Sequence, residues 1–189
     1  MVNLHSLAQK GLLPARIAVV VASRECKGVE RAKELNLPVH IVPFGQMPDL
    51  ESYSSRITAI LLQARVDLVV MAGFLSMWRI STEYEGRVMN IHPALLPSFG
   101  GKGMFGHRVH EAVLAAGCKV SGCTVHFVNN NYDEGPIIVQ RCVEVLKNDT
   151  PDTLADRVFE QECQAYPEAI RLFAAGRLRI DGRVVHRLD

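Results

Sequence analysis

Short runs of β-branched and apolar residues, separated by amphipathic stretches, recur along this chain and restrict its fold more than any other feature. Arg16 to Ala22 reads RIAVVVA and Val66 to Ala72 reads VDLVVMA. Runs of this length suit strands buried on both faces, as in a parallel sheet. Val39–Val42, Arg87–Ile91, Ser121–Val128 and Pro136–Val145 are further strand candidates. Between them lie helical stretches at residues 4–11, 28–35, 49–65 and 107–116. The third of these carries Tyr53, Ile57, Ile60, Leu61 and Leu62 at helical spacing. Thr150 followed by Pro151 starts another helix. Pro167 is expected to kink or split that helix, and Gly176 to end it. A last hairpin is expected in the tail from Arg177. Strand alternating with helix implies an α/β fold: three layers, with a mostly parallel twisted sheet and helices on both faces. Ligands of such sheets bind at the carboxyl ends of strands.

The 189 residues suit a single domain, 1–189, and 48% hydrophobic with 22% charged residues describes a soluble globular protein. A net charge of +1 gives no basic field for nucleic acid. No apolar run is long enough to cross a bilayer. The five cysteines, Cys26, Cys118, Cys123, Cys142 and Cys163, show no C-x-x-C spacing, and the first residues do not form a signal peptide. A cytoplasmic setting with reduced thiols is expected.

The chemistry concentrates at Asn90-Ile91-His92-Pro93-Ala94-Leu95-Leu96-Pro97. Residues two apart on an extended chain share a face, so the Asn90 amide and the His92 imidazole point the same way. Alone, such a pair reads as a satisfied buried network. Here it opens a double-proline loop ahead of a glycine-rich segment, which is the composition of a site. The turn Asn129-Asn130-Asn131-Tyr132-Asp133-Glu134-Gly135 supplies Asp133. Asp133 is either an ordinary turn aspartate or a carboxylate able to steady a nearby imidazolium. His107 and His110, spaced i, i+3, read as surface or loop-anchoring residues, and no metal is expected. His126 reads as a hydrogen-bonded sheet histidine.

Four segments, NIHPALLP, HRVHEAV, GCTVHFV and YDEGPIIVQ, in this order, resemble the phosphoribosylglycinamide formyltransferases over about Asn3 to Arg179. The catalytic domain of that family also occurs in formyltetrahydrofolate hydrolases and methionyl-tRNA formyltransferases. The resemblance implies that formyl moves from 10-formyltetrahydrofolate to the amine of glycinamide ribonucleotide, as a step of purine synthesis. It makes Asn90, His92 and Asp133 catalytic: Asn90 and a protonated His92 donate to the tetrahedral oxyanion, with Asp133 in support. It assigns Leu75, Asn90, Asn129, Asn130, Asn131, Tyr132 and Asp133 to folate, and Asn3 and Glu162 to the nucleotide. Glu162 taken by itself reads equally well as an exposed helix acid. The implied partners are these two small molecules, with no nucleic acid and no membrane, and the state a monomer or homodimer.

Two departures stand out. Family members begin with a further strand and a Gly/Ser-rich phosphate loop ending in Ser-Asn, and Asn3 matches that final Asn. The chain is therefore expected to be N-terminally truncated relative to the family. After Gly73-Phe74 the family often has Met-Arg, whereas this chain has Leu75-Ser76-Met77-Trp78-Arg79. The alternatives are a formyltetrahydrofolate hydrolase or a truncated, non-catalytic folate-binding paralogue. A tRNA formyltransferase fits less well, for want of a basic patch.

Overall fold

A computed structural model describes residues 1–189. The chain divides into two compact units, Met1–Val88 and Met89–Asp189. The first contains α1 (Val2–Gln9), β1 (Val20–Ala22), α2 (Lys27–Glu34), β2 (Val39–Ile41), α3 (Leu50–Gln63) and β3 (Val69–Met71). β1 and β2 pair in parallel. The strands are shorter than the apolar runs and half-buried rather than buried on both faces.

Helix α3 starts where the sequence provides a cap, the Asp49 side chain accepting from the Ser52 N–H at 2.7 Å. Tyr53, Ile57, Ile60 and Leu61 make its buried face. Leu62, expected with them, is 49% exposed. Three successive residues turn through most of a helical circle, so Ile60, Leu61 and Leu62 cannot all face inward.

The second unit begins one residue into β4 (Val88–His92) and continues through α4 (His107–Ala115), β5 (Val120–Phe127), β6 (Ile137–Glu144), α5 (Pro151–Ala174), β7 (Leu178–Asp181) and β8 (Val184–Arg187). Its strands lie in the order β4-β5-β6-β8-β7. The α/β class holds, but the sheet is mixed where a mostly parallel one was expected. β4–β5, β5–β6 and β7–β8 are antiparallel, and only β6–β8 is parallel in this unit. The physical reason lies at residues 128–136. A connection that short joins antiparallel neighbours, whereas parallel neighbours need a longer crossover.

Two register rows gather the polar residues of the sheet. Asn90 pairs with His126, while His92 pairs with Thr124, which pairs with Gln140. Directly opposed residues share a face, so this side of the sheet is polar. Helix α5 packs on β5, β6 and α4, and the Tyr166 hydroxyl donates to the Met89 carbonyl at 2.9 Å. The helix runs unbroken through Pro167, which was expected to kink or split it. Burial of Val158, Ala165, Tyr166, Ala169 and Ile170 on both sides of the proline outweighs the roughly 3 kcal/mol that an interior proline costs. The expected terminal hairpin is β7–β8, turned at Gly182 with φ +57°. No helix is long and apolar enough to cross a membrane.

Candidate active site

Strand β4 delivers Asn90 and His92 to the polar face, as alternation requires. The turn after β5 returns Asp133 to the same place. It does so because Gly135 passes against the Phe127 carbonyl, where any Cβ would collide. Asp133 itself sits at φ +55°, a conformation that Asp tolerates better than most residues. The Gly101 N–H donates to Asp133 Oδ2 at 2.9 Å.

Asp133 is then shared by two imidazoles. Its Oδ2 lies 3.5 Å from His92 Nδ1 and its Oδ1 lies 3.7 Å from His126 Nε2. Both rings are almost fully buried, at 3% exposure for His92 and 1% for His126. The other nitrogen of each ring meets a backbone carbonyl: His92 Nε2 lies 2.8 Å from the Phe99 oxygen, and His126 Nδ1 lies 2.8 Å from the Phe127 oxygen. These carbonyls can only accept, so both nitrogens carry hydrogen. With hydrogen on Nδ1 alone, His126 Nε2 accepts from the Asn90 amide at 3.4 Å; with hydrogen on Nε2 as well, it turns to Asp133 Oδ1 instead. One Asn90 N–H is spoken for and the second remains for another oxygen.

The electrostatics decide the protonation states. Burial would raise Asp133, but the His126 side chain, the Gly101 N–H and the charges of the two rings outweigh it, and the carboxyl sits below its ordinary range. His92 moves down as well. Burial dominates, and the opposing pulls of Asp133 and the Phe99 carbonyl do not overcome it. Burial thus favours the neutral ring, whereas the sequence reading expects a protonated His92. Its Nε2–H is given to the Phe99 carbonyl, which leaves Nδ1 facing Asp133.

His126 belongs to this cluster, although its sequence context assigns it no chemical part. In a V-H-F alternation it looks like any sheet histidine. What marks it is its register position opposite Asn90, and register between distant strands is not written in either strand. His110 is 4% exposed, which removes the surface half of its expected surface or loop-anchoring role. It follows Val109 on the inward face of α4, and burial, with the charges of His107 and His92, lowers its pKa. His107 is exposed and lies 3.4 Å from Asp152.

The remaining expected residues lie outside the cluster. Asn129 to Asn131 and Tyr132 are exposed in the β5–β6 turn beside Asp133. The Asn129 side chain accepts from the Asn131 N–H at 3.0 Å, and Asn131 donates to Glu134 at 3.2 Å. Glu162 lies on α5, half-buried and near the buried Cys123 thiol rather than in the Asn90–His92–Asp133 cluster. Burial pushes Glu162 up to about 7. Asn3, on α1, and Leu75, exposed beyond β3, belong to the first unit.

The site can thus present an amide N–H to a developing oxyanion and offer a carboxylate-backed base, the components of acyl transfer. Known proteins resemble the chain along most of its length. It is 39% identical over 181 residues to the chloroplastic phosphoribosylglycinamide formyltransferase of Arabidopsis thaliana, covering 94% of this chain and 62% of that one, so it spans about three-fifths of that relative. With the phosphoribosylglycinamide formyltransferase of Mycobacterium tuberculosis it shares 38% identity over 178 residues, 93% of this chain and 80% of the other. The crystal structure of glycinamide ribonucleotide transformylase 1 from Symbiobacterium toebii superposes with a TM-score of 0.92 at 39% identity, covering 99% of this chain and 87% of that one. The formyl transferase model matches residues 2–170, and the chain belongs to the formyl transferase family.

Proposed function

We propose that the chain transfers the formyl group of 10-formyltetrahydrofolate to the amine of glycinamide ribonucleotide. The observation that carries this reading is the convergence of Asn90, His92, His126 and Asp133 on one polar face, in a chain so similar to transferases of that name.

The amine lone pair attacks the formyl carbon, a C–N bond forms, and the carbonyl π pair moves onto oxygen. The free Asn90 N–H donates to that oxygen. Preorganised donors of this kind are worth ~10²–10³ in rate. Neutral His92 takes the proton from the attacking nitrogen, and the Asp133 carboxylate steadies the imidazolium. The bond from the formyl carbon to the folate nitrogen then breaks as that nitrogen receives the proton. His126, fixed by the Phe127 carbonyl, holds the Asn90 amide in place. The route uses only these residues and asks nothing of a metal.

The exposed turn Asn129–Tyr132 suits a pterin edge rich in donors and acceptors; the likeness to the transferases assigns Leu75 to folate as well. Asn3 and Glu162 are assigned to the nucleotide, on its phosphate side and at its ribose hydroxyls respectively. Residues 1–189 are read as one catalytic domain, since the family match spans both units. The five cysteines, none of them in a disulfide, fit a reducing cytoplasm, and the protein is read as a monomer or homodimer.

The experiment follows deformylation of 10-formyltetrahydrofolate with and without glycinamide ribonucleotide. The reading expects loss of the folate formyl group to depend on the nucleotide and to yield the formylated amide. Formate released at the same rate without nucleotide would instead identify a hydrolase. No turnover with intact folate binding would identify a non-catalytic paralogue.

A further inference from the structure

Two residues on β5 and β6 that the mechanism does not use grip the loop leaving the site. Thr124 is fully buried and sits opposite His92 in the sheet. Its hydroxyl donates to the Ala94 carbonyl at 2.7 Å and accepts the Leu96 N–H at 3.0 Å. Gln140, opposite Thr124 on the next strand, donates one amide hydrogen to the same hydroxyl at 3.0 Å and the other to the Leu96 carbonyl at 2.9 Å. The Thr124 hydroxyl is then saturated, with one hydrogen given and two lone pairs filled. Gln140 uses both amide hydrogens inward, although the residue is exposed.

The gripped segment leads directly to the catalytic groups. Leu96 packs on Gly100 so closely that a Cβ there would stand 2.6 Å from Leu96 Cδ2 and 3.2 Å from Asp133 Cβ. Phe99 and Gly101, flanking Gly100, supply the carbonyl that holds His92 Nε2 and the N–H that holds Asp133. A continuous path of contacts therefore runs from Gln140 through Leu96 and Gly100 to the His92–Asp133 pair.

We propose that Gln140 is a positioning residue for formyl transfer, which fixes the Leu96–Gly101 loop and through it the His92–Asp133 geometry. The proposal rests on the formyl-transfer reading. A displacement of about 1 Å at a reacting group is enough to cost ~10²-fold in rate. Gln140 touches neither substrate in this role, so the loss belongs in kcat rather than in KM.

The test compares Gln140→Leu and Gln140→Glu with the wild type, measuring kcat, KM for both substrates and the thermal midpoint. Leu keeps much of the volume and removes both donors. An ionised Glu goes further and sets an acceptor against the Leu96 carbonyl, while a protonated Glu restores one donor. The expected result near pH 8 is a fall in kcat of roughly 10- to 100-fold for Leu and a larger one for Glu, with both KM values within about threefold. As the pH falls toward about 4.3, the ordinary Glu value, the Glu variant should recover relative to Leu. Because Gln140 is exposed, both variants should remain folded. Either variant within about twofold of wild-type kcat overturns the proposal. So does a rise in KM with kcat unchanged, or an equal loss in both variants at every pH with a lowered thermal midpoint. An inactive wild type would refute the formyl-transfer reading itself, which separates the two failures.

Discussion

Replacing Glu162 by Gln should make the protein more stable at neutral and alkaline pH while weakening nucleotide binding. The Glu162 carboxyl is raised from 4.5 to about 7 by burial alone, with no opposing charge or donor. The sign comes from linkage. A carboxyl whose folded value lies above its unfolded one stabilises the fold below about 4.5, and that contribution is lost as the pH rises through about 7. One unit of pKa corresponds to about 1.4 kcal/mol, so ionising Glu162 in the folded state costs roughly 3 kcal/mol near pH 8 and about 1 kcal/mol near pH 5. The difference, about 2 kcal/mol, falls to about 1 kcal/mol when partial solvent contact is allowed for. For a chain of this size that is roughly 2–4 °C in Tm. Calorimetry of the wild type and Glu162→Gln across this pH range reads it directly. The midpoint of the variant relative to the wild type should climb by a few degrees between about pH 5 and pH 8. A constant difference, or one that shrinks as the pH rises, would refute the burial argument. If Glu162 accepts ribose hydroxyls, the same variant should show a raised KM for glycinamide ribonucleotide, with the folate KM unchanged.

Asn90→Ala should lower kcat by ~10²–10³ with little change in Tm, because it removes the oxyanion donor and leaves the backbone of β4 intact; steady-state kinetics check it. Asp149→Asn should loosen the start of α5. Asp149 receives Arg157 at 2.7 and 2.8 Å, the Leu146 N–H at 2.7 Å and the Thr153 hydroxyl at 2.9 Å, and Arg157 holds its carboxyl well below the usual carboxylate range. Charge-assisted bonds of this kind are worth about 1.5–3 kcal/mol each at most, so a Tm lower by several degrees is expected at neutral pH, read by thermal melts. The deficit should fade on acidification below the ordinary carboxylate range, since a group with a depressed pKa contributes its stability above that range and loses it as pH falls.

What the sequence revealed and what it concealed have physical reasons. The strands were legible because β-branched runs announce themselves, and the shared face of Asn90 and His92 came from strand alternation. The meeting of Asp133 with His92 was not legible, since it depends on β5 and β6 pairing antiparallel beside β4. The short turn over residues 129–135 did imply that pairing, and it contradicted a mostly parallel sheet. His126 is the hydrogen-bonded sheet histidine its context implied, but its place beside Asn90 and Asp133 was not legible, and neither was the burial of His110: partners across strands or between helices have no local signature. Pro167 shows the converse, a strong local signal overruled by packing on both sides. The pull on the His92 proton could not be read either, because Asp133 and burial push it in opposite directions and the depth of burial is not written in the strand.

The central claim is that Asp133 and His92 act together on the proton released during formyl transfer. It is tested most directly by single-turnover transfer rates for the wild type, His92→Ala, Asp133→Asn and the double variant, with folding checked by circular dichroism. The account predicts folded proteins in which each single variant loses at least ~10²-fold and the double variant loses little more than the worse single one, as for groups acting as a unit. Either single variant transferring formyl near the wild-type rate, or losses that simply multiply in the double variant, would contradict it.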